Sequence, residues 1–258
     1  MKKTLLITSL LAISTYSFAD MKDCALASAN QNDKDIVEYC TPYLKDKNNP
    51  EATAILSSYE AREKNYKKTL DYATWIVTFY EDKSSLNSNE ENIYTGSITA
   101  IGNIYYFGQA GKADKVKGLE YITKAANLGN DFAENQLGDF YNSNDKFPGL
   151  NVAKSYKWYT LASANGNTQA NKSGLMSVID TVTKQAPYCI AMGEQLVAQA
   201  YIDGSAGLSK DTSKAKKYLN DAIALYKDNE PTKENLQYCP EGADKLNLDS
   251  AKKQLDSL

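Results

Sequence analysis

Histidine is absent from the 258 residues, and arginine occurs once, at Arg62, among 29 basic side chains. Without an imidazole there is no Ser-His-Asp or Cys-His relay, no HExxH zinc site and no histidine proton shuttle. With 28 lysines and a single guanidinium, the planar fork that grips phosphates and base edges is nearly missing. A surplus of positive charge is missing too: the formal net charge is −3, so a nucleic-acid or anionic-membrane surface is not expected. Beyond the first residues no apolar run approaches the roughly 20 residues that span a bilayer, so stable membrane insertion is not expected.

The chain opens with an export pattern. Lys2 and Lys3 precede an apolar run from Leu5 to Ile13, and Ser17-Phe18-Ala19 sets small residues where a signal peptidase needs them. Residues 1–19 read as a signal peptide cut between Ala19 and Asp20, which leaves 27 basic against 32 acidic residues. No cysteine stands at the cut for lipid attachment. A bacterial periplasmic or secreted location follows, and there the four cysteines, Cys24, Cys40, Cys189 and Cys239, form disulfides. Four cysteines allow three connectivities. The expected pairs are Cys24–Cys40 and Cys189–Cys239, because helical segments short enough to lie side by side as hairpins flank each pair. A redox or metal site is disfavoured: no CxxC spacing occurs and no histidine can complete a ligand set.

What the sequence does have is a repeat. Gly102, Gly138 and Gly174 stand 36 residues apart, as do Tyr105 and Tyr141. Ile101-Gly102-x-x-Tyr105 is followed by Lys117-Gly118-x-x-Tyr121-Ile122-x-x-Ala125-Ala126 and Gly129; Leu137-Gly138-x-x-Tyr141 by Lys154-Ser155-x-x-Trp158-Tyr159-x-x-Ala162-Ser163 and Gly166. A third copy runs from Val197-Ala198-x-x-Tyr201 through Lys214-Ala215-x-x-Tyr218-Leu219-x-x-Ala222-Ile223. Small residues at 102 and 138 allow two helices to approach closely, tyrosines fill the groove between them, and Gly129 and Gly166 end the second helix. At these positions the chain resembles the Sel1-like repeat family, a variant of the tetratricopeptide hairpin. The resemblance implies an all-α fold, a right-handed α-solenoid of stacked helical hairpins, here with disulfide-stapled ends.

The expected organisation is N-terminal tetratricopeptide-like hairpins over residues 20–81, Sel1-like repeats over 90–228, and a C-terminal capping segment over 229–258. A polar stretch from Asp82 to Asn89 separates the first two parts, with Ser88 and Glu91 as the expected capping box. Sixty residues rather than 36 separate the second copy from Val197, so one unit near 168–185 reads as degenerate. Beyond Pro231 and Pro240, Ala243, Leu246, Ala251 and Leu255 suggest a final amphipathic helix.

Little catalytic chemistry survives these absences. The SxxK spacing occurs at Ser143/Lys146, Ser213/Lys216 and Ser250/Lys253, about the number chance supplies among 20 serines and 28 lysines. A penicillin-binding, weakly β-lactamase-like or other cell-wall-related enzyme is the alternative that the family resemblance implies. The favoured reading is a non-catalytic adaptor without metal or cofactor. Its concave face would bind a protein or an extended peptide, in cell-envelope maintenance or host interaction. Carried over from the family pattern, the residues lining that face are Thr99, Asn103 and Tyr106 in the first clear unit and Asn135, Asp139 and Asn142 in the second.

Overall fold

The computed structural model describes residues 20–44, 49–168 and 186–258, and within them the chain is helical throughout, without a strand. The expected leader (1–19), Gly174 and nearly all of the unit near 168–185 expected to be degenerate lie outside the described residues.

The first hairpin is small and stapled. Helix α1 (Met21–Ala29) is capped by Asp20, whose carboxylate accepts the amides of Lys22 and Asp23, and Asn32 caps α2 (Asp33–Cys40). A Cys24–Cys40 bridge with Cα atoms 4.9 Å apart joins them, and both cysteines are fully buried beside Ile36, Ala52 and Leu56. After a 3-10 turn (Thr41–Leu44), Asn49 caps α3 (Pro50–Arg62), whose Pro50 occupies a first-turn position that needs no amide donor. Helix α4 (Tyr66–Glu81) returns along it, burying Ala73, Ile76 and Val77.

The next helix, α5 (Ser88–Phe107), begins one residue earlier in its capping than expected. Asn87, not Ser88, accepts the amides of Asn89 and Glu90, and Glu90 rather than Glu91 reaches back to the Asn87 amide. An asparagine amide oxygen caps as well as a hydroxyl, so two overlapping boxes were present and the polar run could not choose between them.

Two antiparallel hairpins follow: α5 with α6 (Lys115–Asn127), then α7 (Asp131–Tyr141) with α8 (Val152–Ala164). Their closeness depends on missing side chains. A Cβ on Gly102 would lie 2.6 Å from Ile122 Cγ1, one on Gly118 2.5 Å from the Tyr106 amide nitrogen, and one on Gly138 2.5 Å from the Tyr159 ring. A third hairpin, α9 (Pro187–Asp203) with α10 (Thr212–Asp228), precedes a short helix α11 (Lys233–Leu236) and a last helix α12 (Leu248–Asp256). Ala243 and Leu246 precede α12, which Asn247 caps, and only Ala251 of that helix is fully buried.

All three hairpins close by one device. Asp114, Asn151 and Asp211 each cap the second helix through the amide three residues on, at Lys117, Lys154 and Lys214. Each cap also donates its own backbone N–H to a tyrosine carbonyl of the first helix, Tyr105, Tyr141 or Tyr201, at 2.8 to 3.0 Å. The three lysines then lie over those same tyrosine rings, at 3.9, 5.2 and 5.0 Å from the centroids.

The third hairpin enters the stack the other way round. Helices α7 and α8 run antiparallel, with Gly138 against Tyr159 and Glu134 against Asn165. Helix α9, by contrast, runs parallel to α8. At their starts Val152 donates its backbone N–H to Tyr238 O, next to Cys239, which is bonded to Cys189. Midway the Tyr156 hydroxyl meets Glu194, and at their ends Asn165 donates to Ala206 O. The start of α9 therefore lies at the opposite end of the layer from the end of α8. Near the ends of α8 and α9, Gly129 and Gly207 touch: a Cβ on Gly129 would lie 2.4 Å from Gly207 Cα. Both have positive φ, +86° and +73°, so glycine is needed there twice over.

Candidate functional site

The first helices of the first two Sel1 hairpins lie beside each other. Asn103 of α5 accepts a hydrogen bond from Gln136 of α7 at 2.5 Å, and Asn130, the α7 cap, donates to Thr95 of α5 at 3.2 Å. All six expected surface residues lie on the adjoining helices α5 and α7 or, for Asn142, directly at the end of α7. Asn135, Asp139 and Asn142 are spaced four and three apart, which puts them along one helical face. Asp139 is exposed, and Thr99, Asn103, Asn135 and Asn142 are half-buried.

These residues are not idle side chains. Thr99 Oγ1 is 2.9 Å from the Thr95 carbonyl and 3.3 Å from Asn130 Oδ1, so Thr99 and Asn103 both help to join the first unit to the second. Asp139 accepts the Tyr159 hydroxyl hydrogen at 2.6 Å, and Asn142 approaches the same hydroxyl. Burial first, then the acidic acceptor, holds the Tyr159 hydroxyl well above the ordinary tyrosine range, so it stays a donor.

Tyr106 is a correction. It is 4 % exposed, its ring stacked on Phe140 with centroids 4.2 Å apart, and its hydroxyl donates to the Phe147 carbonyl at 2.6 Å. The position four residues after Gly102 faces the neighbouring first helix rather than the open face, and an aromatic pair fills that gap.

An apolar groove beside α6 was not anticipated. Tyr94, Val116, Leu119, Thr123, Lys124, Leu128 and Phe147 line an open depression of about 630 Å³, in which Val116 is 58 % and Leu128 48 % exposed. Val116 and Leu128 flank the helical apolar stripe that packs inward, and this is the only trace the groove leaves in the sequence.

The described residues offer little for bond-making chemistry. Ser250 spends its hydroxyl on capping α12 and accepting from Gln195, and Ser213 lies on the exposed first turn of α10. Among the described residues no group of three or more acidic or cysteine side chains is placed to hold a metal ion. The cysteines are tied in two bridges, Cys24–Cys40 and Cys189–Cys239, with Cα separations of 4.9 and 5.7 Å.

A repeated cap geometry defines one hairpin unit used three times, and the Sel1 repeat model matches the chain at residues 97–130, 132–167 and 188–225. This is a Sel1-like repeat protein. Its third Sel1 repeat starts at Tyr188, so Gly174, 36 residues beyond Gly138, belongs to none of the three, and Ala198 holds the place of the close-contact glycine. Among solved structures the chain is similar to a Sel1 repeat protein from Oxalobacter formigenes, at 17 % identity and a TM-score of 0.45, covering 92 % of this chain and 94 % of that one. It is also similar to c5321, a protective antigen of uropathogenic Escherichia coli strains displaying an SLR fold, at 17 % identity and a TM-score of 0.35, covering 78 % of this chain and 49 % of that one. No curated protein matches the sequence. Sel1 repeats typically build protein-interaction scaffolds, and no described helix of this one is long and apolar enough to cross a membrane.

Proposed function

We propose that the protein is a non-catalytic adaptor that holds a protein or an extended peptide on the face formed by the first helices of its Sel1 repeats. The observation that carries this reading is the row of hydrogen-bonding side chains, Thr99, Asn103, Asn135, Asp139 and Asn142, set along the neighbouring helices α5 and α7. Amide and hydroxyl groups held by neighbours are already ordered, so a partner's backbone meets donors and acceptors whose rotamer entropy has largely been lost in folding. The proposed location is the bacterial periplasm or the exterior after removal of residues 1–19. The two disulfides favour an oxidising compartment.

Capture from a periplasmic extract by the immobilised mature chain, followed by mass spectrometry, is the test. Asn135→Ala with Asp139→Ala is expected to weaken capture of the recovered partner at least tenfold while the helical signal and melting temperature stay nearly level. Undiminished capture by that folded double variant would show that the first-helix face is not the binding surface.

A further inference from the structure

The joint between the second and third repeats contains two buried carboxyls. Counting from the small close-contact residue of each repeat, the position four before it is Ile98 in the first, Glu134 in the second and Glu194 in the third. Buried acids thus occupy this position only in the two repeats that meet across the parallel α8–α9 joint.

Glu194 is 8 % exposed. One of its oxygens accepts the Tyr156 hydroxyl hydrogen from α8, while Oε2 is buried without any partner. Glu134 is completely buried, and the Nδ2 of Asn165 lies 3.0 and 2.9 Å from its two oxygens and 2.9 Å from Ala206 O in the third repeat. Among the described residues one amide group is all that reaches this carboxyl by hydrogen bonding, and the same group ties the two repeats together.

We propose that the joint between the second and third repeats is a proton-controlled latch, closed while Glu134 and Glu194 are protonated and loosened when they ionise. A neutral carboxyl tolerates an unsolvated oxygen, whereas a carboxylate there must draw water into the joint. Burial pushes Glu194 up to about 7 and Glu134 up to about 8. The titratable groups acting on Glu194 are Tyr156 of α8 and Lys217, Tyr218 and Asp221 of α10. Those acting on Glu134 are Asp131 of its own helix and Lys157 of α8. Both acids hold their protons more tightly folded than unfolded. The stabilisation is therefore complete below about 4.5 and is lost as pH rises through 7 to 8. With no histidine in the chain, no side chain at its ordinary value titrates in that window.

Trp158 is a built-in reporter. It lies on α8 in the same buried cluster as Ala200 and Ala206 of the third repeat, and Trp75 is the other tryptophan. In a Trp75→Phe background, the Trp158 emission is expected to shift reversibly to the red between pH 6 and 9, with a midpoint between 7 and 8. In Glu134→Gln with Glu194→Gln, which keeps the shape of the neutral carboxyls, the emission should stay flat. A flat wild-type titration, or the same transition in the double Gln variant, overturns the latch. If Trp75→Phe unfolds the chain, melting temperatures decide: the wild type should fall from pH 5 to pH 8 by several degrees more than the double Gln variant, and equal falls overturn the proposal.

Discussion

The joint between the first and second repeats and the joint between the second and third use the same kinds of helix but close by different means. In the first, α6 turns directly into α7, and Ile122, Ala125, Ala126, Ala133 and Leu137 meet with no side chain more than marginally exposed. At the second, α9 starts at the opposite end of the layer from the end of α8. A tyrosine–glutamate pair, an asparagine bridge and a disulfide-anchored strap then share the work with apolar packing. The contrast shows what a repeat obtains from regularity. When each hairpin ends where the next begins, a continuous apolar seam carries the joint, with the Tyr106–Phe140 stack and the Asn103–Gln136 and Thr95–Asn130 bonds beside it; when direction reverses, more of the contacts must be specified one by one.

The largest expected effect comes from the strap. Cys189→Ala with Cys239→Ala opens a 50-residue loop, which in the chain-entropy picture costs about 4 kcal/mol, against about 3 kcal/mol for the 16-residue loop of Cys24–Cys40. Denaturant unfolding of the two double variants should reproduce that order. A larger loss at Cys24–Cys40 would mean that the α8–α9 joint holds without its strap.

Close packing gives the next effect. Gly138→Leu drives a side chain into the Tyr159 ring and is expected to cost about 1–3 kcal/mol, whereas Gly96→Leu, on the exposed side of α5 with nothing within 4 Å, should leave the midpoint unchanged or slightly raised. Thermal melts of the pair separate overpacking from a general intolerance of bulk in the stack. Equal losses would break the comparison.

Next comes a difference in kind. Stability of the whole chain should decline from about pH 4.5 to pH 8 because Glu194 and Glu134 bind protons more tightly in the folded state. Tyr156→Phe removes the hydroxyl that donates to Glu194, so it should steepen that decline while leaving the first joint's packing intact. Urea titrations at pH 5 and pH 8 measure it, and an unchanged slope would show that the hydroxyl does not support the carboxylate. The smallest effect is expected from Asp139→Ala alone. It removes the exposed acceptor of the Tyr159 hydroxyl, which keeps Asn142 beside it, and should cost roughly 1 kcal/mol or less in a denaturant midpoint.

The regular joint was legible in the sequence and the irregular one was not. Gly102, Gly138, Tyr105 and Tyr141 announce the hairpins because close approach and groove filling demand particular side-chain sizes at fixed intervals. The two disulfide pairs followed from hairpin geometry. Periodicity reports which face of a helix is apolar, however, and says nothing about the direction in which the helix crosses its neighbour. Val197-Ala198-x-x-Tyr201 therefore looked like any other copy while α9 runs parallel to α8. Tyr106 misled for a related reason: its burial depends on Phe140, 34 residues away, and no local pattern encodes that pairing. Nothing in the local sequence sets Glu194 and Glu134 apart from the other acids of the chain. Their position ahead of the small residue was visible, but its meaning depends on which helix packs above it.

The strap at the second joint also orders events in time. Val152 at the start of α8 is held by the carbonyl of Tyr238, and Cys189 at the start of α9 by Cys239, so both anchors sit within the last 21 residues of the chain. A polypeptide delivered N-terminus first can pack its first two Sel1 repeats against each other, through contacts among residues 88–167, before Tyr238 and Cys239 have been made. The third repeat can dock on the second beforehand, but it cannot be fastened until residue 239 arrives. The two joints are thus closed at different moments in the life of the molecule, the regular one early and the strapped one last.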